Sequence, residues 1–304
     1  MSYRYIFGPV LSRRFKTSLG IDLSPDEKSC NFDCLYCELK AKKPKNFITN
    51  PPKVKDVIEE LKKVLREFPD IDTITITSNG EPTLYEELSS LVDEINKIKK
   101  DKKLLILSNA SKIHQKNIRD ILKKIDIVKL SLDCVSERCF KRLDRPLKGI
   151  EVKSIIEGMK EFRKEYQGEL VVEILLVRGV NDKIEEMEKL RDVLKEISPN
   201  RVDLGTIDRP PSYRVYPVSE EELFRMAEIL EGLCVNVVCK GDYAVTKRDF
   251  TKSEILSLLK RRPQTKEDIE RQFSEKSKTV LKELLAKGEV VLTNLAGVDF
   301  FKTS

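Results

Sequence analysis

The sequence predicts an α/β chain: a partial (β/α)6 barrel, TIM-like in its strand and helix alternation, followed by a small C-terminal winged-helix domain. Three observations predict it. From about residue 17 to 210, short β-branched runs alternate with longer helical patterns, the signature of βαβ units and a parallel sheet. Near residues 241–250 this rhythm stops at a polar stretch, after which a three-helix pattern precedes a strand, a turn and a strand. A chain of 304 residues with 40% hydrophobic content can bury one large core and a second small one. The expected division is 1–240 for the barrel with its extension, and 241–304 for the linker and winged helix.

Six segments read as strands in order: residues 19–23, 73–77, 104–108, 127–132, 170–177 and 202–206. Each is rich in Ile, Val, Leu or Thr and short enough for a buried parallel strand. Between them, residues 54–67, 86–99 and 184–197 carry apolar residues three and four apart, which defines one buried helix face. After Arg209-Pro210-Pro211 the pattern yields one more helix, 220–233, and a strand-like run, 235–239. In the C-terminal part, Thr251 with Glu254 and Thr265 with Asp268 have capping-box spacing. A third helix, 276–287, stops at Gly288, and the wing follows as 290–293, a turn through Leu295-Ala296-Gly297, and 298–301.

Composition narrows the function classes. No apolar run approaches the roughly 20 residues a membrane-spanning helix needs, and the N-terminal segment lacks secretory-signal character, so a cytoplasmic protein is expected. Charged residues reach 36%, Lys and Glu dominate, Trp is absent and His occurs once, a bias associated with thermophile proteins. The net charge of +6 is too small to fix a partner by itself. Seven cysteines in a reducing compartment point to metal or redox chemistry more than to a disulfide framework.

Three of the seven crowd into Cys30-Asn31-Phe32-Asp33-Cys34-Leu35-Tyr36-Cys37, just after the first strand. Soft thiolates this close can converge on an iron–sulfur cluster or zinc. A structural zinc site or an ordinary cluster wants a fourth protein ligand, yet the next cysteine is Cys134 and the lone His114 reads as helical. Three ligands leave one coordination position open, which marks a catalytic centre. The C-x3-C-x-aromatic-C spacing, with Tyr36 in the aromatic place, resembles the signature of the radical S-adenosylmethionine superfamily. That resemblance implies a [4Fe–4S] cluster on Cys30, Cys34 and Cys37, S-adenosylmethionine (SAM) on the open iron, and its reductive cleavage to a 5′-deoxyadenosyl radical. It also implies an electron donor such as ferredoxin or flavodoxin.

Other motifs agree. Gly80-Glu81-Pro82 follows the second strand and resembles the element that receives the cofactor's ammonium, although Asn79 stands where a glycine is usual. Ser108-Asn109 and Ser131-Leu132-Asp133 end the third and fourth strands, where similar enzymes bind ribose and the methionine carboxylate. Beyond the fifth strand, which carries Glu173, come Arg178 and Asn181; Arg178 could pair a carboxylate bidentately or form a rim salt bridge. Phe7-Gly8-Pro9, Leu143-Asp144-Arg145-Pro146 and Asp208-Arg209-Pro210-Pro211 resemble a little-characterised branch loosely related to wyosine-type tRNA modification enzymes. Cys134, Cys139, Cys234 and Cys239 are expected to be packing residues rather than ligands of a second cluster. The run Lys40, Lys42, Lys43, Lys45, Lys53, Lys55 could attract phosphate, but is read first as a plain solvated loop.

The functional expectation is a radical SAM enzyme that modifies a macromolecule such as RNA or tRNA, recognised through the winged helix. Its alternatives are modification of a peptide or protein side chain, and a non-catalytic iron–sulfur, DNA-binding redox sensor.

Overall fold

The structure is a computed structural model that describes residues 3–12, 15–238, 247, 249–261, 263–295 and 298–304. The chain begins with strands β1 (Ile6–Ser12) and β2 (Lys16–Asp22), then α1 (Val54–Glu67), β3 (Thr73–Thr77), α2 (Leu88–Ile98), β4 (Lys103–Ser108) and α3 (Lys116–Leu122). It continues with β5 (Ile127–Ser131), α4 (Glu137–Leu143), α5 (Val152–Glu165), β6 (Glu169–Leu176), α6 (Ile184–Ile197), β7 (Arg201–Thr206), α7 (Glu220–Ile229) and β8 (Val235–Val237). The C-terminal part holds α8 (Lys252–Arg261), β9 (Gln264–Thr265), α9 (Lys266–Gln272), α10 (Glu275–Ala286), β10 (Val290–Leu295) and β11 (Val298–Thr303).

One eight-stranded sheet runs in sequence order from β1 to β8. Strands β2 to β8 are parallel, and β1 is antiparallel to β2. The period-two alternation of the strands explains its two faces. Leu19 and Ile21, Ile74 and Ile76, Leu104 and Ile106, Val128 and Leu130 are fully buried in the main apolar core. Their neighbours Ser18, Gly20, Asp22, Thr75, Thr77 and Lys129 line a cavity instead. Helix α1 shows how the outer layer is built: Val57, Ile58, Leu61 and Val64 recur at three- and four-residue spacing and are its buried residues.

The six expected strands are present, with a seventh parallel strand, β8, at one end. Strand β1 escaped the sequence reading because Gly8 and Pro9 interrupt its β pattern. Proline is tolerated there because β1 is an edge strand whose pairing shifts between Phe7 and Val10. Two other readings are corrected. His114 is not helical: it sits exposed in the turn before α3, where Ile113 N–H closes back on Ala110 O. Cys134 and Cys139 do pack in the main core, but as a disulfide rather than as free thiols, tying the segment after β5 to the first turn of α4. Cys234 is free and exposed; Cys239 lies outside the described residues.

The C-terminal part has its own apolar core, including Phe250, Ile255, Leu259, Phe273 and Leu284. Its order is helix, strand, helix, helix, strand, strand, and β11 pairs with both β10 and β9. The capping boxes are formed: Thr251 Oγ1 accepts from Glu254 N–H, and Thr265 Oγ1 from Asp268 N–H. Gly288 takes φ +71 after α10, the left-handed backbone of a helix stop. Residues 241–246, where the linker was expected, and Ala296-Gly297 of the expected wing turn lie outside the described residues. This part rests on the barrel, since Val10 packs against its core and the buried Arg209 donates to Pro263 O.

Candidate active site

The three-cysteine loop is fastened to its surroundings by main-chain hydrogen bonds on every side. Ser29 bridges Gly80, with Ser29 N–H to Asn79 O at 2.7 Å and Glu81 N–H to Ser29 O at 2.9 Å. Gly80 has φ +147, and a Cβ there would lie 1.8 Å from Ser29 O, so only glycine lets the two loops meet. Asn79 explains its departure from glycine by clamping the end of β2. Its N–H and Nδ2 donate to the two carboxylate oxygens of Asp22 at 3.0 and 2.9 Å. The end of α4 holds the far side, with Asp33 N–H to Asp144 O and Leu35 N–H to Leu143 O. Lys45 N–H donates to Cys30 O and Ser212 N–H to Cys37 O.

Cys30, Cys34 and Cys37 are free thiols. Burial pushes all three up, Cys30 to about 12, and each charge would act on its neighbours'. Lys28, almost fully buried, opposes this at Cys37. Such thiols ionise when a metal centre supplies the positive charge. Three free soft donors on one loop held by main-chain hydrogen bonds therefore fit an iron–sulfur cluster.

The predicted partners gather beside them. Glu81 is 1% exposed, and its carboxylate accepts from Thr83 N–H, Thr83 Oγ1, Ser108 Oγ and Asn109 N–H at 2.6–2.9 Å. Burial raises its pKa against the pull of these bonds. Pro82 opens the short 3-10 turn that fixes Thr83. Asn109 Nδ2 donates to Asn31 Oδ1 at 2.9 Å and lies 3.6 Å from Cys30 Sγ. Asp133 takes Tyr36 OH at 2.5 Å and Leu175 N–H at 2.7 Å, and burial raises it to about 7. Ser131, half-buried, pairs with Glu173 across the sheet.

Arg178 is placed apart. Its side chain is 56% exposed and stands 3.9 Å from Glu222 on a shallow rim with Ser219 and Arg225. Asn181 is fully buried and holds the Val177 turn and Asp133 O.

Sequence reasoning missed the barrel interior. A cavity of about 400 Å³ opens between Asp22, Asn79, Glu38 and Leu39 near the cysteine loop, with Arg209 and Phe7 also on its wall. Lys129, in the middle of β5, donates to Glu173 at 2.6 Å and to buried Asp203 at 3.1 Å. A lone lysine inside Ile127-Val128-Lys129-Leu130 was the signal, since a buried strand carries a charge only when it is paired. Also missed was the strap 209–216, which crosses the loop through Ser212 Oγ to Leu39 O and Tyr213 OH to Asp33.

A profile of the Radical SAM superfamily matches residues 28–192. A UPF0026 protein of Helicobacter pylori strain J99 is 40% identical over 299 residues, covering 97% of this chain and 96% of that protein. Two solved structures share the fold. One is TYW1 with a lysine-pyruvate adduct bound: TM-score 0.51, 18% identity, 70% of this chain and 72% of that one. The other is Streptococcus suis SuiB bound to S-adenosylmethionine: TM-score 0.55, 20% identity, 71% and 49%. With its cysteine loop and parallel sheet, the chain belongs to the radical SAM superfamily of enzymes and, within it, to the UPF0026 family.

Proposed function

We propose that the chain binds one [4Fe–4S] cluster through Cys30, Cys34 and Cys37, cleaves SAM reductively, and modifies a macromolecule, RNA such as tRNA foremost. The observation that carries this reading is the meeting of three free thiols with the Gly80-Glu81 and Ser108-Asn109 strand ends beside a 400 Å³ barrel cavity. When bound, the cluster and its cofactor would supply a 5′-deoxyadenosyl radical, chemistry that belongs to the cofactor.

The chain's residues do the rest. Glu81 is held by four donors, so it serves as a bracket, and an ammonium would be met at the Gly80 turn by main-chain carbonyls, of which Asn79 O already takes Ser29 N–H. Asn109 steadies Cys30, and Asp133 holds Tyr36 against the loop. Ser131 offers a hydroxyl at its strand end for a ribose or carboxylate, while the Ser108 hydroxyl is engaged by Glu81 and by Ala110 N–H. Arg178 would serve a cofactor carboxylate only after leaving Glu222. We read residues 1–240 as the catalytic unit and 241–304 as a winged helix that recognises the substrate, with a ferredoxin- or flavodoxin-type donor supplying the electron.

Anaerobic reconstitution should load about four irons with a [4Fe–4S] spectrum. A strong reductant with SAM should then release 5′-deoxyadenosine. Replacing Cys30, Cys34 or Cys37 by Ala should abolish both. Full iron content in any of the three variants, or tetrahedral zinc in the native protein, would sink the assignment. Profiling RNA and protein modifications in cells lacking the protein separates an RNA substrate from a peptide one.

A further inference from the structure

Two surface segments flank the cysteine loop, and neither is used by the cofactor chemistry above. The first is the turn 40–47, fastened by Lys45 N–H to Cys30 O at 2.8 Å. It exposes Lys40 and Lys43, and also Lys42, which like Lys45 is ion-paired with Glu27; it carries Phe47 at 58% exposure with the Lys45 ammonium 5.3 Å from its ring. The second is the strap 209–216, fastened by Ser212 to Cys37 O and Leu39 O. It exposes Arg214 and, at 45%, Tyr216, whose hydroxyl accepts from the Arg214 guanidinium at 3.1 Å. Phe47 and Tyr216 are among the few exposed large apolar side chains of the described residues, and each stands beside a cation.

The barrel cavity, whose wall is reached by Glu38-Leu39 and Asp208-Arg209 at the starts of these segments, has the opposite character. Its lining includes the carboxylates Asp22, Glu38, Glu173 and Asp208 against the cations Lys129 and Arg209. Phosphate is therefore disfavoured inside and favoured outside. An acidic peptide would suit the rim but not the cavity, and a basic peptide the reverse. A polynucleotide satisfies both, because its charge lies on the backbone while its bases are neutral and flat. A base can enter the barrel only when it is out of the stack, and exposed aromatics beside cations are the usual platform for unstacked strands.

We propose that single-stranded RNA crosses this rim, with phosphates on the Lys40–Lys43 turn and Arg214, bases on Phe47 and Tyr216, and one base passed into the cavity. The choice of RNA rests on the macromolecular reading above; the rim and cavity supply the strand geometry.

The test is fluorescence anisotropy of the full-length protein with a fluorescein-labelled single-stranded RNA of mixed sequence, about 15 nucleotides long. The wild type should bind with salt-sensitive affinity. Lys40→Gln/Lys43→Gln/Phe47→Ala should weaken binding about tenfold or more and lower the salt slope by about 1.4, near 0.7 per lost phosphate contact. Arg214→Gln/Tyr216→Ala should weaken it independently, whereas Lys189→Gln/Lys195→Gln on α6 should not. All three variants should still form 5′-deoxyadenosine. Native affinity in both rim variants would overturn the proposal, as would tighter binding of duplex RNA, of DNA of the same sequence, or of a labelled polyglutamate peptide. If the wild type makes 5′-deoxyadenosine but binds no RNA, the rim inference falls and the radical chemistry stands. If RNA binds through the rim and no 5′-deoxyadenosine forms, the rim stands and the radical chemistry falls.

Discussion

At the residue scale, the site depends on a few positions where chemistry and backbone are both constrained. Gly80→Ala is the sharpest example. Its added carbon would meet Ser29 O at 1.8 Å, and φ +147 is a backbone that L side chains rarely adopt. The variant should lose the Ser29 bridge, be less stable by about 1–3 kcal/mol and so unfold at lower temperature, and load less iron than wild type. Thermal unfolding and iron analysis check this; normal values for both would show that the bridge is dispensable. Away from the site, Asp126 tests a simpler balance. Burial pushes its carboxyl up, but Leu104 N–H at 2.7 Å and the Lys99 ammonium outweigh it, so its pKa is lowered. A depressed pKa gives stability that is present above the unfolded value near 3.9 and lost as pH falls below it. Asp126→Asn should therefore cost about 1 kcal/mol at neutral pH, with the gap from wild type closing below about pH 4 in urea titrations.

At the element scale, helix α4 links features far apart in the sequence. Its first turn carries Cys139, disulfide-bonded to Cys134 in the segment after β5. Its last residues offer Leu143 O and Asp144 O to the cysteine loop. Closing so short a loop is worth about 2 kcal/mol in the chain-entropy view. Cys134→Ser/Cys139→Ser should then lower stability by that order without lowering iron content. Thiol titration of the denatured, non-reduced wild type should find two fewer thiols than after reduction. Loss of iron in the double variant would instead make this pair part of a metal site. Strands β5 and β7 show why single elements mislead: Lys129 and Asp203 look out of place in buried strands until the sheet brings them within 3.1 Å across β6, where Glu173 joins them.

At the scale of the whole molecule, the C-terminal part is tied to the barrel by Val10 and Arg209. A chain ending near residue 240 would leave Val10 uncovered and the Arg209 guanidinium without Pro263 O. It should melt at lower temperature while still releasing 5′-deoxyadenosine slowly, and it should lose most activity on the full substrate. An unchanged melting temperature would show that the docking is incidental. Equal activity on the substrate would show that the C-terminal part does not recognise it. No helix among the described residues is long and apolar enough to cross a membrane.

The sequence by itself determined the parallel sheet, the principal helices α1 and α6, the two capping boxes and the cysteine triplet, because these depend on local periodicity and spacing. It also determined which strand ends carry Glu81, Ser108, Asn109 and Asp133, since strand boundaries are local features too. Only the tertiary structure decided what those residues do. Glu81 takes Ser108 and Asn109 besides its neighbour Thr83, Asp133 turns inward to Tyr36, and Arg178 stays on the rim beside Glu222, because the deciding partners come from segments 27 to 97 residues away. The disulfide, the charged barrel interior and the strap over Cys37 were likewise beyond reach. The strap depends on long-range juxtaposition, the barrel interior on pairings of which the lone Lys129 is the trace along the chain, and the disulfide, though its cysteines are five residues apart, on an oxidation that spacing does not signal.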